Sequence, residues 1–220
     1  MNAARPILFN ISGPYAVGKD TLIDAILAAH DGRVHRVSTI TTRPASRTAD
    51  PSYESVSPEE FRARTARGRW LINDQLSGAV AYGTSIDEIE AMASAGRVSV
   101  HSIYAGPPGA GRLREVFGRR VFSLGLLAAD GGVEAQLAVL RGRLLERGRE
   151  DPATIEAKLR HQVEPLTYVL ENPVIATADG PLPAFDRVLV NESLPAAVAR
   201  VLELFDQACG VPPAATRPGP

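Results

Sequence analysis

FNISGPYAVGKDTLIDAILAAH, residues 9–30, reads as an apolar run, a glycine-punctuated turn that carries a lysine, and a helix. The spacing Gly13-x4-Gly18-Lys19 is that of a phosphate-binding loop, and strand, loop and helix follow in the order that motif needs. Glycines let the chain turn so that successive N–H groups of Gly13, Pro14, Tyr15, Ala16, Val17, Gly18, Lys19, Asp20 and Thr21 (Pro14 excepted) face phosphate oxygens, and the helix dipole adds to them. Lys19 is the mobile point charge that reaches the β- and γ-phosphates of ATP. Asp20 stands where Ser or Thr is usual. A carboxylate suits the first turn of a helix, and it is also a hard oxygen ligand for Mg²⁺, with Thr21 left to serve a phosphate.

Outward from the loop, apolar runs alternate with helical patterns. Residues 7–12 read as a buried strand, 19–29 as a helix and 33–39 as a second short strand. Residues 40–57, rich in Thr, Ser, Pro and Arg, read as a loop or irregular insertion. Ser57-Pro58-Glu59-Glu60 is a helix start, and that helix ends near Gly68. Residues 70–85 read as a hairpin about Ser77-Gly78, and Ser85 caps a helix closed by Gly96. Strands follow at 97–103, 119–128 and 185–193. Helices follow at 111–117, 132–147, 153–170 and 194–208, and the tail from 210 should be disordered. Strands alternating with helices predict an α/β fold, a parallel sheet with helices on both faces. We read one domain: a core at 1–39, 86–142 and 156–210, an acceptor-binding insertion at about 40–85, a lid at about 143–155, and a tail at 211–220.

The 220 residues suffice for a full core, and 45% apolar with 22% charged residues is ordinary for a globular chain. A net charge of −1 gives no electrostatic case for a nucleic-acid or membrane surface. Cys209 is the only cysteine, and there is no signal-peptide pattern or bilayer-length apolar run, so the expectation is cytoplasmic. Only Lys19 and Lys158 are lysines among 24 basic residues; the loop context marks Lys19 as a position where a guanidinium would not fit, while for Lys158 chance and function are equally good readings.

The segments SGPYAVGKDTL, TTRPASR, SYESVSPEEF, YGTSIDEI, RLLERGRED and FDRVLVNESL resemble, in order and spacing, those of guanylate kinases, over nearly the whole chain. The resemblance implies a P-loop NTPase fold with ATP and Mg²⁺ as cofactors. It places Arg43, Tyr53 and Tyr82 on the acceptor's phosphate, with the second gripping arginine at Ser46 or Arg47, of which Arg47 is the chemically sensible choice. Thr39 and Thr84 fall on the acceptor side, Thr84 near the base. Arg143 and Arg147 match paired lid arginines, Lys158 falls where a third arginine is usual, and Asn191 matches an asparagine of the last strand. The set is chemically coherent, since phosphoryl transfer between phosphates is mostly positioning and charge neutralisation.

Two stretches depart from that pattern. Ile72 falls where the family reads guanine with a glutamate, with Asn73 or Asp74 as substitutes if the register slips, and His101 and Ser102 stand where aspartates are usual. His101 reads as a packed strand residue rather than a base. Asp20 and Thr42–Ala45 also resemble ribose 1,5-bisphosphate phosphokinases, whose acceptor has no base. The leading reading is ATP-dependent phosphoryl transfer to a nucleoside monophosphate, GMP or a modified nucleotide. The alternatives are a ribose phosphate acceptor and a catalytically silent binding module. The oligomeric state is left open.

Overall fold

The computed structural model describes residues 5–44, 52–73 and 80–211. The chain begins with β1 (Leu8–Ser12), whose five residues are all buried, and passes through the loop into α1 (Lys19–Ala29) and β2 (Val34–Arg36). There follow β3 (Thr39–Thr41), β4 (Tyr53–Ser55), α2 (Pro58–Thr65), β5 (Trp70–Asn73), β6 (Tyr82–Ser85) and α3 (Ile86–Ser94). Next come β7 (Val98–His101), one wide helical turn at Pro107–Gly111, α4 (Arg112–Phe117) and β8 (Val121–Leu127). The last part holds α5 (Val133–Arg147), α6 (Pro152–Arg160), α7 (Val163–Glu171), β9 (Val174–Ile175), β10 (Leu182–Pro183), β11 (Arg187–Val190) and α8 (Leu194–Cys209).

The main sheet runs β11-β8-β1-β7-β2, with every pair parallel. Parallel strands buried on both faces need continuous apolar runs, which β1 and β8 supply. Successive side chains of β1 point to opposite faces. Phe9 and Ile11 pack with Leu22, Ile26, Leu140, Val169 and Phe205 under α1, α5, α7 and α8. Leu8 packs the other way, with Ile86, Ile89, Leu113 and Phe117 of α3 and α4. The expected parallel sheet with helices on both faces is present.

Three readings of local structure are corrected. The expected single strand over 33–39 is divided: β2 joins the main sheet, while β3 belongs to a second, four-stranded sheet in the order β4-β3-β6-β5. The expected loop over 40–57 holds β3 and β4, whose polar composition hid strands that are stabilised by pairing with each other and, through β3, with distant β6. The expected single helix over 153–170 is two. Pro165 has no N–H for the carbonyl of His161, so the chain turns tightly there and restarts as α7.

The hairpin pairing is observed, β5 and β6 being antiparallel with Leu71 opposite Thr84 and Asn73 opposite Tyr82, while Ser77-Gly78 lies outside the described residues. The helix starts are capped by their own side chains: Glu60 N–H donates to Ser57 Oγ and Glu88 N–H to Ser85 Oγ, each at 3.1 Å. Phe61, the buried residue of α2, lies against Gly83 and Ile40 and seals the second sheet from outside. The expected disordered tail falls outside the described residues, apart from Gly210 and Val211.

Candidate active site

The phosphate loop leaves β1 at its carboxyl end and enters α1 directly. Two positions need glycine for different reasons. A Cβ on Gly13 would lie 2.5 Å from the carbonyl oxygen of Leu126 on β8. Gly18 has φ +99° and caps α1, and a Cβ there would meet the Asn191 amide at 2.7 Å. Ala16 adopts the left-handed region with φ 62°. Lys19 Nζ donates to the carbonyls of Gly13 at 3.0 Å and Pro14 at 2.7 Å. Burial pushes its ammonium down to about 8, opposed by the neighbouring Asp20 carboxylate. Val17 is buried, while Asp20 and Thr21 are exposed at the first turn of α1.

Asn191, just past β11, braces the loop. Its side-chain amide donates to the Val17 carbonyl at 2.8 Å, and its Oδ1 is buried with no hydrogen-bond partner.

The loop and the second sheet face one cavity of about 670 Å³. Gly13, Tyr15 and Lys19 line it from one side, and Thr39, Tyr53, Tyr82 and Thr84 from the other. Tyr53 and Tyr82 meet edge-to-face at 6.1 Å between centroids, and the Arg43 guanidinium sits 5.1 Å from the Tyr53 ring centroid. Arg43 thus borders the cavity through Tyr53 without lining it. Arg47 and Ser46 lie outside the described residues, as does Asp74.

At the floor, the hydroxyls of Thr39 and Thr84 are 3.4 Å apart, and Thr84 Oγ1 is 3.0 Å from Nε2 of buried His101. Burial pushes the His101 imidazole down to about 4; a hydrogen bond to the Val37 backbone opposes the shift and the Arg36 charge adds to it. The ring is therefore neutral. On β5, Leu71 lines the cavity opposite Thr84, whereas Ile72 stands opposite Gly83.

The residues expected on a lid divide. Arg143 donates to the carbonyls of Ala128 and Asn191, joining α5 to the ends of β8 and β11. Arg147 is exposed in the last turn of α5, and neither arginine lines the cavity. Lys158 on α6 pairs with Glu150, and its ammonium lies 4.6 Å from the Tyr15 ring centroid. The sequence reading missed the wall formed by Tyr104, Arg160, His161, Gln162 and Glu164. Tyr104 donates to Glu164 at 2.9 Å, and Gln162 Oε1 accepts from the Tyr15 backbone N–H at 2.7 Å. Pro165, which forces the helix break that exposes Gln162, was the signal available.

No group of three or more acidic, His or Cys side chains is arranged to hold a metal among the described residues. The fit for Mg²⁺ is of another kind. Asp20 and Thr21 offer hard oxygens beside the phosphate loop, and the ion's remaining ligands would be phosphate oxygens and water.

No protein-family model matches the chain. It is 31% identical over 202 residues to a guanylate kinase of Symbiobacterium thermophilum, covering 91% of this chain and 84% of that protein. It is 27% identical over 210 residues to a guanylate kinase of Bacteroides fragilis, covering 94% and 91%. Among solved structures, the guanylate kinase of Anaplasma phagocytophilum superposes with a TM-score of 0.60 over 93% of this chain and 86% of that one. At 17% identity this is a likeness of fold. No described helix is long and apolar enough to cross a membrane.

Proposed function

The chain belongs to the guanylate kinase family, and from that premise we propose that it transfers the γ-phosphoryl group of ATP to GMP, giving ADP and GDP. The observation that carries this reading is the shared cavity, which brings Lys19 and the loop to the hydroxyls of Tyr53, Tyr82, Thr39 and Thr84. An oxygen of the acceptor phosphate attacks the γ-phosphorus, and the bond to the ADP oxygen breaks. Lys19 and the loop amides hold the ATP phosphates; the ammonium, lowered by burial, regains its full charge beside them. Arg43, Arg47, Tyr53 and Tyr82 hold the acceptor phosphate, the arginines as planar forks and the tyrosines as neutral donors. Arg147 and Lys158 neutralise the transferring group, while Arg143 acts through its hold on the strand ends. Asp20 and Thr21 would hold Mg²⁺, which when bound offsets the phosphate charge.

The base is recognised without a carboxylate at position 72. Neutral His101, with its other nitrogen committed to the Val37 backbone, accepts the Thr84 proton at Nε2. Thr84 is then left as an acceptor towards the cavity, which suits a guanine N–H.

The test is turnover: ADP release with ATP, Mg²⁺ and GMP, AMP, IMP, UMP, CMP and ribose 1,5-bisphosphate as acceptors. GMP should give the highest kcat/KM. Exclusive use of ribose 1,5-bisphosphate would replace the nucleotide reading. No turnover and no ATP binding would leave a silent binding module.

A further inference from the structure

The second lysine of this chain is held by the phosphate loop itself. Tyr15 stands two residues after Gly13, and its ring is exposed on one side. The Lys158 ammonium lies 4.6 Å from that ring's centroid, within reach of a cation–π attraction. Four residues on, at the break between α6 and α7, Gln162 Oε1 accepts the Tyr15 N–H at 2.7 Å, and Gln162 Nε2 donates to the Lys158 carbonyl at 3.3 Å. One loop residue is thus gripped twice by the same turn of chain, through its ring and through its amide.

Resting on the kinase reading above, we propose that Tyr15 is a positioning residue, whose ring docks α6 on the phosphate loop and fixes the Lys158 ammonium beside the transferring phosphoryl group. Glu150 is the other partner of that ammonium, and the two partners differ in kind. A carboxylate neutralises a cation. A ring face orders it and leaves its charge to act on phosphate oxygens. A lysine stem is flexible, so without the ring the ammonium would be held by Glu150 alone or turn into water. The Gln162 oxygen completes the device, because a neutral amide acceptor on a loop N–H yields readily to an anionic phosphate oxygen. The loop can therefore hold α6 in place without ATP and exchange that bond for a phosphate when ATP arrives.

The test compares wild type, Tyr15→Leu, Tyr15→Phe, Lys158→Gln and the Tyr15→Leu/Lys158→Gln double variant, by steady-state kinetics and by equilibrium unfolding. Tyr15→Leu should lower kcat by about 3- to 30-fold with KM for the acceptor unmoved. Tyr15→Phe, which keeps the ring face, should exceed the Leu variant by about threefold or more. The double variant should be no slower than Lys158→Gln alone. Additive losses in the double variant, or equal losses for Phe and Leu, would overturn the proposal. Absence of turnover in the wild type with every acceptor overturns the kinase reading and, with it, the placing of Lys158 at the phosphoryl group. The unfolding cycle then bears on the contact alone, and zero coupling between Tyr15 and Lys158 there shows that the ring does not hold the lysine.

Discussion

Asn191 reaches across 174 positions of sequence to donate its side-chain amide to the Val17 carbonyl at 2.8 Å. The last strand of the main sheet thereby holds the middle of the phosphate loop, and Arg143 holds the Asn191 carbonyl in turn. Asn191→Ala leaves the buried Val17 carbonyl without a donor, which costs about 1–3 kcal/mol. Asn191→Asp places a carboxylate against that carbonyl and should cost more. Denaturant unfolding checks the order, and ADP affinity should fall in the same order because the loop loses its brace.

The two lid arginines should separate by the quantity that each one moves. Arg143 serves two carbonyls at the ends of the strands, so Arg143→Ala should lower stability by about 1–3 kcal/mol as well as slow turnover. Arg147 is exposed at the end of α5, so Arg147→Ala should leave stability within about 0.5 kcal/mol and lower kcat. Thermal unfolding beside kcat distinguishes them. Equal stability losses would refute the division.

Much of this arrangement is local in sequence and could be read there. The phosphate loop declares itself because strand, glycines, lysine and helix are contiguous, and β1 and β8 are apolar throughout because both faces are covered. The second sheet could not be read the same way. Thr39–Thr41 and Tyr53–Ser55 are three-residue strands that pair with each other, and Thr39–Thr41 also pairs with β6, 41 to 45 positions later, which no local propensity reports. The Tyr15–Lys158 contact spans 143 positions and depends on a helix break at Pro165.

Positions 72 and 73 of β5 offer a direct comparison. Ile72→Glu should raise kcat/KM for GMP over AMP by about tenfold or more, since a carboxylate accepts two N–H bonds from guanine. Asn73→Glu should give no such gain. Side-by-side kinetics with GMP and AMP measure it, and a gain for Asn73→Glu alone would mean that the register slips by one residue.

His101 should leave a mark on stability against pH. The folded protein holds its imidazole near 4, mainly by burial, while the unfolded chain titrates near 6.5. Between these values the unfolded chain takes up a proton that the folded protein refuses. The stabilisation is therefore complete above pH 6.5 and is lost as the pH falls towards 4, by roughly 3 kcal/mol in all. Carboxylates titrate in part of the same window, so the difference between wild type and His101→Gln isolates the effect. Urea unfolding at pH 7.5 and 4.5 should show a larger loss in wild type, and parallel losses would mean that the ring does not stay neutral.

Asp20 tests the divalent cation. It is exposed at the first turn of α1, where a carboxylate also favours the helix dipole by about 0.3–1 kcal/mol. These two roles predict different results for Asp20→Ser. As a ligand, directly or through water, the carboxylate should contribute about 10- to 100-fold in metal affinity. The Mg²⁺ concentration for half-maximal rate should rise by that factor, and calorimetry should show ADP affinity gaining less from Mg²⁺ than in wild type. As a helix-start acid alone, it should change stability by the smaller dipole energy and leave both Mg²⁺ curves where they were. An unchanged Mg²⁺ requirement in the rate and in ADP binding together would remove Asp20 from the metal and leave the ion to Thr21, the phosphates and water.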